Sequence, residues 1–312
     1  MAYRYLFGPV PSRRLGISLG VDLVPPKICS MDCVYCECGP TTELTVERRE
    51  YVPTAEVIRE LDDFLAGHPP PDFVTFSGAG EPTLHSGIGT ILSHVKAAHR
   101  APVALITNAS LLDRAEVRRE LLALDLILPS LDSATVAGLR QINRPHPDIG
   151  PERIVDGLAA FRQEFPGEIW LEIFLLHPFN TTEAELERLQ AAVDRIRPDR
   201  VQLNSLDRPG TEAWVEKVSQ ADLESIAARI AHPRVEIVSK YRRRLDIRAY
   251  RQDIEAAIVE TISRRPCTVR DLCDVLGLRP QEVRKYLDVL ESDRRLRAEI
   301  QDRGIFYRLL PP

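Results

Sequence analysis

Along the chain, short runs of apolar residues rich in Val, Ile and Leu alternate with longer stretches in which apolar side chains recur every third or fourth position. The runs are GVDLVP (20–25), FVTFSG (73–78), VALITN (103–108), LILPSLD (126–132), IWLEIFLL (169–176) and VQLNSL (201–206), with VEIVS (235–239) as a seventh. Strand-like runs separated by helical patterns predict a parallel sheet made by repeated right-handed crossovers. After Pro53-Thr54-Ala55-Glu56, Val57, Ile58, Leu61 and Leu65 fall at helical spacing, which predicts a helix capped by Thr54 and ended by Gly67. Thr182 is expected to cap a second helix through Ile196, with Glu183 and Glu185 in its first turn and Arg195 and Arg197 at its end. Six βα units predict an α/β fold with a partial (β/α)6 barrel, and ligands of such folds gather at the carboxyl ends of the strands.

The pattern changes at KYRRRLDIRAYRQD (240–253), so the chain reads as a barrel over 1–240, a linker over 241–252 and a small domain over 253–312. In the tail, a helix over 254–264, TVRDLCDVLGL and RPQEVRKYLDVLESD read as three helices, and RLRAEIQDRGIFYRLL as two strands around Asp302-Arg303-Gly304. Three helices followed by a hairpin predict a winged helix.

Composition narrows the class. With 28% charged and 44% hydrophobic residues, the chain is neither disordered nor membrane-embedded in type, and no apolar run approaches the roughly 20 residues needed to span a bilayer. The opening MAYRYLFGPVPSRR lacks the apolar stretch of a secretory signal, which places the chain in the cytoplasm with no membrane partner. A net charge of −5 supplies no global attraction for nucleic acid. Over 253–312, 11 Lys or Arg face 11 Asp or Glu, which weighs against DNA as the partner of the winged helix.

Cysteine usage changes the picture most. Of six cysteines, four lie within residues 29–38, too clustered for a disulfide framework and suited to a metal site in a reducing compartment. Cys29, Cys33 and Cys36 form C-x3-C-x2-C. Three thiolates on one loop can hold three irons of a 4Fe-4S cubane and leave the fourth without a protein ligand. The competing reading is structural zinc, which takes four ligands and would recruit Cys38. Cys267 and Cys273 read as small core residues rather than ligands.

A second motif, Ser77-Gly78-Ala79-Gly80-Glu81-Pro82-Thr83, follows the second run. Small residues let the backbone approach a ligand, and a carboxylate suits an ammonium group. With the three-cysteine loop, this turn resembles the radical S-adenosylmethionine superfamily over about residues 5 to 240. The resemblance implies a partial barrel of the radical SAM type, one 4Fe-4S cluster on Cys29, Cys33 and Cys36, and S-adenosylmethionine bound at its open iron. It also implies an electron donor such as flavodoxin or ferredoxin. By the same resemblance Tyr35 would contact the adenine, Gly78, Gly80 and Glu81 the amino group, and Ser130 and Asp132 the ribose, while Asn108 would hold cofactor or substrate. Glu172, a charge aimed from the fifth run, joins them as a cofactor-binding candidate, with Asn204 of the sixth run as a further polar suspect inside the barrel.

The opening GPVPSRRLGISLGVDLVPPKICSMDCVYCECGPTT looks like the branch annotated around wyosine-type tRNA modification, and Ser12, Arg13 and Arg14 in it suit an anionic ligand. Residues 1–28 contain no cysteine, so a single cluster is expected. Three readings follow: an enzyme that takes hydrogen from an RNA or another substrate, one that activates or modifies a protein, and a non-catalytic iron-sulfur regulator with a DNA-binding tail.

Overall fold

Strands covered on both faces are apolar without a break, and Val103, Ala104, Leu105, Leu126, Ile127 and Leu128 are all buried as such strands require. The computed structural model describes residues 3–12, 14–36, 38–99, 101–206, 211–212, 214–238, 252–264, 266–301 and 304–310. In chain order it begins with β1 (Leu6–Ser12), β2 (Gly16–Val21), β3 (Ile28–Cys29), β4 (Glu43–Leu44), α1 (Thr54–Gly67), β5 (Phe73–Phe76), α2 (Ile88–Ala98) and β6 (Val103–Thr107). Next come α3 (Ala115–Glu120), β7 (Leu126–Pro129), α4 (Val136–Ile142), α5 (Pro151–Glu164), β8 (Glu168–Phe174), α6 (Glu183–Ile196), β9 (Arg200–Asn204), α7 (Gln220–Arg229) and β10 (Val235–Ile237). The last elements are α8 (Gln252–Arg264), β11 (Cys267–Thr268), α9 (Val269–Leu276), α10 (Pro280–Ser292), β12 (Leu296–Gln301) and β13 (Gly304–Leu309). Contacts divide the described residues into two units, one within Met1–Leu6, Val21–Pro70 and Val74–Val238, the other within Phe7–Gly20, Pro71–Phe73 and Ser239–Pro312.

In the first unit, β5 to β10 lie side by side in sequence order, and the pairings among them are parallel, from Val74 against Val103 to Val235 against Val201. The expected α/β fold with a parallel sheet is present. Its helices bury one stripe each, Val57, Leu61 and Phe64 on α1, Ile88, Ile91, Leu92 and Val95 on α2, and Leu186, Leu189, Val193 and Ile196 on α6. Thr182 caps α6 by accepting the Glu185 amide, as its position predicts.

Two local expectations are corrected. The first run, GVDLVP, is a strand only at its first two residues: β2 ends at Val21, and the next amide, that of Asp22, donates to the Tyr5 carbonyl at 2.9 Å. The seventh run, VEIVS, is also a strand, with β10 covering Val235–Ile237. Thr54 does not cap α1. It is the first helical residue after Pro53, and its amide donates to the Glu50 carboxylate at 2.8 Å.

Within the second unit, β12 and β13 pair antiparallel, and β11 adds to β13. α8, α9 and α10 enclose Ile258, Leu272, Tyr286, Leu287 and Tyr307 with these strands, and Cys267 is part of that core with Cys273 packed against it. A capping box of Thr268 and Asp271 starts α9, and Gly277 in the left-handed region ends it. All of the expected linker except Gln252, and Arg13, Asp302 and Arg303, lie outside the described residues. Among the described residues no helix is long and apolar enough to cross a membrane.

His85 locks the start of α2. Its Nδ1 accepts the Gly87 amide at 3.0 Å, so the proton sits on Nε2, which donates to the Val52 carbonyl at 2.7 Å. Burial pushes its pKa below the usual 6.5. Since the folded state resists protonation, this residue's stabilisation is complete above pH 6.5 and is lost as the pH falls from there through the lower folded-state value. Urea unfolding should therefore show a midpoint that drops as the pH is lowered from about 7 to about 5. In His85→Gln, the drop should be shallower over the same range.

Candidate metal and cofactor site

Cys29 ends β3, and Cys33 and Cys36 lie in the loop that follows. Backbone bonds hold this loop from several sides. Asp32 and Val34 amides donate to the Asn143 and Ile142 carbonyls at 2.9 Å, and the His146 amide donates to Ser30 at 2.9 Å. On the opposite flank the Thr211 hydroxyl donates to the Cys36 carbonyl at 2.8 Å, and the Glu212 amide to Val34 at 3.1 Å.

The turn after β5 is fastened to the entrance of the same loop. Lys27 and Glu81 amides donate to the Ala79 and Ile28 carbonyls at 3.0 and 3.2 Å. Glycine is required here because a Cβ on Gly80 would stand 2.2 Å from the Ile28 oxygen, and one on Gly78 would stand 2.2 Å from the Asp22 carboxylate. Glu81, 2% exposed, receives four donors. Its Oε1 accepts from the Thr83 amide (3.0 Å), the Thr83 hydroxyl (2.6 Å) and the Thr107 hydroxyl (2.7 Å), and its Oε2 from the Asn108 amide (2.8 Å). Burial raises its pKa, and these bonds oppose the rise.

Each of the three sulfurs is reached by a side-chain nitrogen, and each nitrogen comes from a different segment. Asn108, after β6, offers Nδ2 to Cys29 at 3.6 Å and to the Ser30 hydroxyl at 2.9 Å. Asn143, after α4, offers Nδ2 to Cys33 at 3.3 Å and to Asp132 at 2.6 Å. Lys27 points Nζ at Cys36, 3.0 Å away.

Asp132, 1% exposed, accepts from the Tyr35 hydroxyl at 2.5 Å and from the Phe174 amide at 2.9 Å. Burial brings its pKa up to about 6. Tyr35 stacks on Phe174 with ring centres 4.0 Å apart and planes 7° from parallel. Ser130 bridges Glu172 across the ends of β7 and β8, and Glu172 accepts from Asn204 of β9 at 3.2 Å. The structure therefore brings the candidates together at the carboxyl ends of consecutive strands: Gly78, Gly80 and Glu81 after β5, Asn108 after β6, Ser130 and Asp132 after β7, and Glu172 near the end of β8. Lys27 as a donor to sulfur and Asn143 were missed. Asn143 stands in no motif, and only the fold carries it to Cys33; the place of Lys27 beside the loop was the available signal.

The thiols suit a metal centre. Burial and the Glu81 charge push Cys29 up to about 12, and burial and Asp132 push Cys33 well above its ordinary value. Cys36 is brought down to about 5, first by a hydrogen bond with Cys38 and also, against burial, by Lys27. Deprotonating buried thiols that face carboxylates requires a cationic centre, which is what iron supplies. Three such sulfurs, each already met by an N–H group, fit the three-thiolate face of a 4Fe-4S cluster. Cys38 stays beside Cys36 as a hydrogen-bond partner.

The model of the Radical SAM superfamily matches residues 23–190. A UPF0026 protein of Synechocystis sp. is 39% identical over 205 residues, 65% of this chain and 76% of that protein. A protein named GTPase Obg from Brachyspira hyodysenteriae is 38% identical over 219 residues, and the match spans 70% of this chain but only 32% of that protein. The crystal structure of Streptococcus suis SuiB bound to S-adenosylmethionine superposes with a TM-score of 0.53 at 14% identity, over 76% of this chain and 54% of that one, a likeness of fold.

Gly80→Ala should cost about 1–3 kcal/mol, the usual range for overpacking, and should lower the iron bound after anaerobic reconstitution with iron and sulfide. Gly67→Ala, at the last residue of α1, whose new methyl meets nothing within 4 Å, should retain both stability and iron.

Proposed function

Because the chain belongs to the radical SAM superfamily and to the UPF0026 proteins, whose superfamily uses a 4Fe-4S cluster and S-adenosylmethionine, we propose that it is an enzyme that takes a hydrogen atom from a macromolecular substrate. The observation that carries the reading is the convergence of three cysteine sulfurs, their three nitrogen donors and the Gly80-Glu81 turn at one end of the parallel sheet. When bound, the cluster supplies the electron that cleaves S-adenosylmethionine to a 5'-deoxyadenosyl radical.

The chain's residues would do the rest. Cys29, Cys33 and Cys36 hold the cluster. Gly78 and Gly80 leave room for the Asp22 carboxylate and the Ile28 carbonyl and so seat the turn that would receive the amino group of the cofactor against the cysteine loop, while Glu81, held by Thr83, Thr107 and Asn108, fixes that turn from behind. Asp132 is committed to Tyr35, Asn143 and the Phe174 amide, so ribose contact falls to Ser130 and Glu172, and Tyr35 presents its ring beside the loop. The apolar cluster of Val34, Ile142, Leu176 and Leu206, with Phe179 and Val215 against it, supports a water-excluding wall that protects a reactive radical.

We read the tail, with its α9, α10 and β12–β13 hairpin, as a winged helix that presents the substrate. RNA is the class favoured by the resemblance of the opening stretch to the wyosine-type tRNA-modification branch, with protein as the alternative. The macromolecule that co-purifies with the chain separates the two.

Anaerobically reconstituted protein given dithionite and S-adenosylmethionine should release 5'-deoxyadenosine. Cys33→Ala should lose both the cluster's visible absorbance and this product, and Cys38→Ala should keep both. An intact cluster that yields no product would favour the non-catalytic regulator, and unaltered absorbance in Cys33→Ala would remove the ligand assignment.

A further inference from the structure

Resting on the cluster reading above, we propose that Lys27 is a fixed counter-charge that raises the reduction potential of the cluster and so eases its one-electron reduction.

Two of the three sulfurs are met by neutral amides, from Asn108 and Asn143, and among the described residues a cation lies at hydrogen-bond distance from Cys36 alone. The Lys27 ammonium lies 3.0 Å from Cys36 Sγ, and the residue is 8% exposed, so little water screens it. Its backbone leaves it little choice of direction. The Lys27 amide donates to Ala79 at 3.0 Å, its carbonyl accepts from the Thr42 amide at 3.0 Å and hydroxyl at 3.2 Å, and its φ of 66° is in the left-handed region. A non-glycine residue held there by bonds on both sides is a constraint the surroundings impose.

The electrostatic sign follows from the ligand set. Three thiolates make the oxidised cluster anionic, and one added electron makes it more so. A neighbouring positive charge therefore stabilises the reduced form more than the oxidised one. Net charge and hydrogen bonds to the sulfurs are the main protein levers on such potentials. Glu81 behind Cys29 and Asp132 behind Cys33 push the other way, for both are buried carboxylates on the far side of Asn108 and Asn143. Lys27 offsets these two charges at the third sulfur.

The test is a redox titration of the anaerobically reconstituted full chain, poised with dithionite and mediators and read by the EPR signal of the reduced cluster. Iron and sulfide contents are measured on the same samples. At a fixed potential, Lys27→Met and Lys27→Gln should each lower the reduced-to-oxidised ratio by roughly tenfold, which for one electron is about 59 mV. Lys27→Arg, which keeps the charge, should titrate close to the wild type.

Fully loaded Met and Gln variants that titrate with the wild type would overturn the proposal. So would a Gln variant that behaves like wild type while Met shifts, since the donor and not the charge would then matter. Loss of the cluster from the charge-free variants would also overturn it, by assigning Lys27 to assembly. Absence of a cluster in the wild type would instead strike the functional reading itself, and the iron content reports that separately.

Discussion

A carboxylate taken out of water is tolerated only where donors replace its hydration, and Glu81 meets that condition with four of them. The consequences spread outward from those bonds. Thr83 closes the turn after β5, Thr107, the last residue of β6, ties the turn to that strand, and the Asn108 amide fixes the residue whose side chain reaches Cys29. Gly80 then lies so close to the Ile28 carbonyl that no side chain fits between them. The cysteine loop is thus registered on the sheet through backbone contact as well as through its own Ser30 and Tyr35 side chains.

A second buried carboxylate, Asp132, repeats the arrangement two strands along. It orients Asn143 toward Cys33 and holds the Tyr35 ring flat on Phe174. Both acids sit behind an asparagine, so each sulfur is met by a polar N–H group and not by a bare negative charge. The sheet makes this possible because the ends of β5, β6, β7 and β8 are adjacent in space and in sequence order. Function at this end of the sheet needs polar groups where the loops can present them, while the strands themselves remain apolar.

What was legible in the sequence was whatever depends on neighbours along the chain. Cys29, Cys33 and Cys36 could be read from spacing, and the Gly78 to Thr83 turn from its small residues next to a carboxylate. The alternation of strand and helix was clear because its periodicities are local. The Thr182 cap was readable for the same reason, whereas Thr54 was misread because Glu50, four residues upstream, supplies the acceptor. The first strand was drawn too late because the apolar pattern continues through Leu23 and Val24 after the ladder has ended. Asn143 was invisible, since a lone asparagine 110 residues from Cys33 acquires meaning only when α4 returns the chain to the loop. Glu81 and Asp132 were found as site residues, but their engagement with the protein's own donors depends on contacts that no linear motif encodes.

In the proposed function, this loop and this turn would hold a cluster with three protein-held irons and leave a fourth that S-adenosylmethionine reaches. Mössbauer spectroscopy of the chain reconstituted with iron-57, recorded with and without S-adenosylmethionine, addresses it directly. One iron of the cluster should change its isomer shift when the cofactor is added while the other three keep theirs. A spectrum in which all the irons are equivalent and unmoved by the cofactor would contradict it.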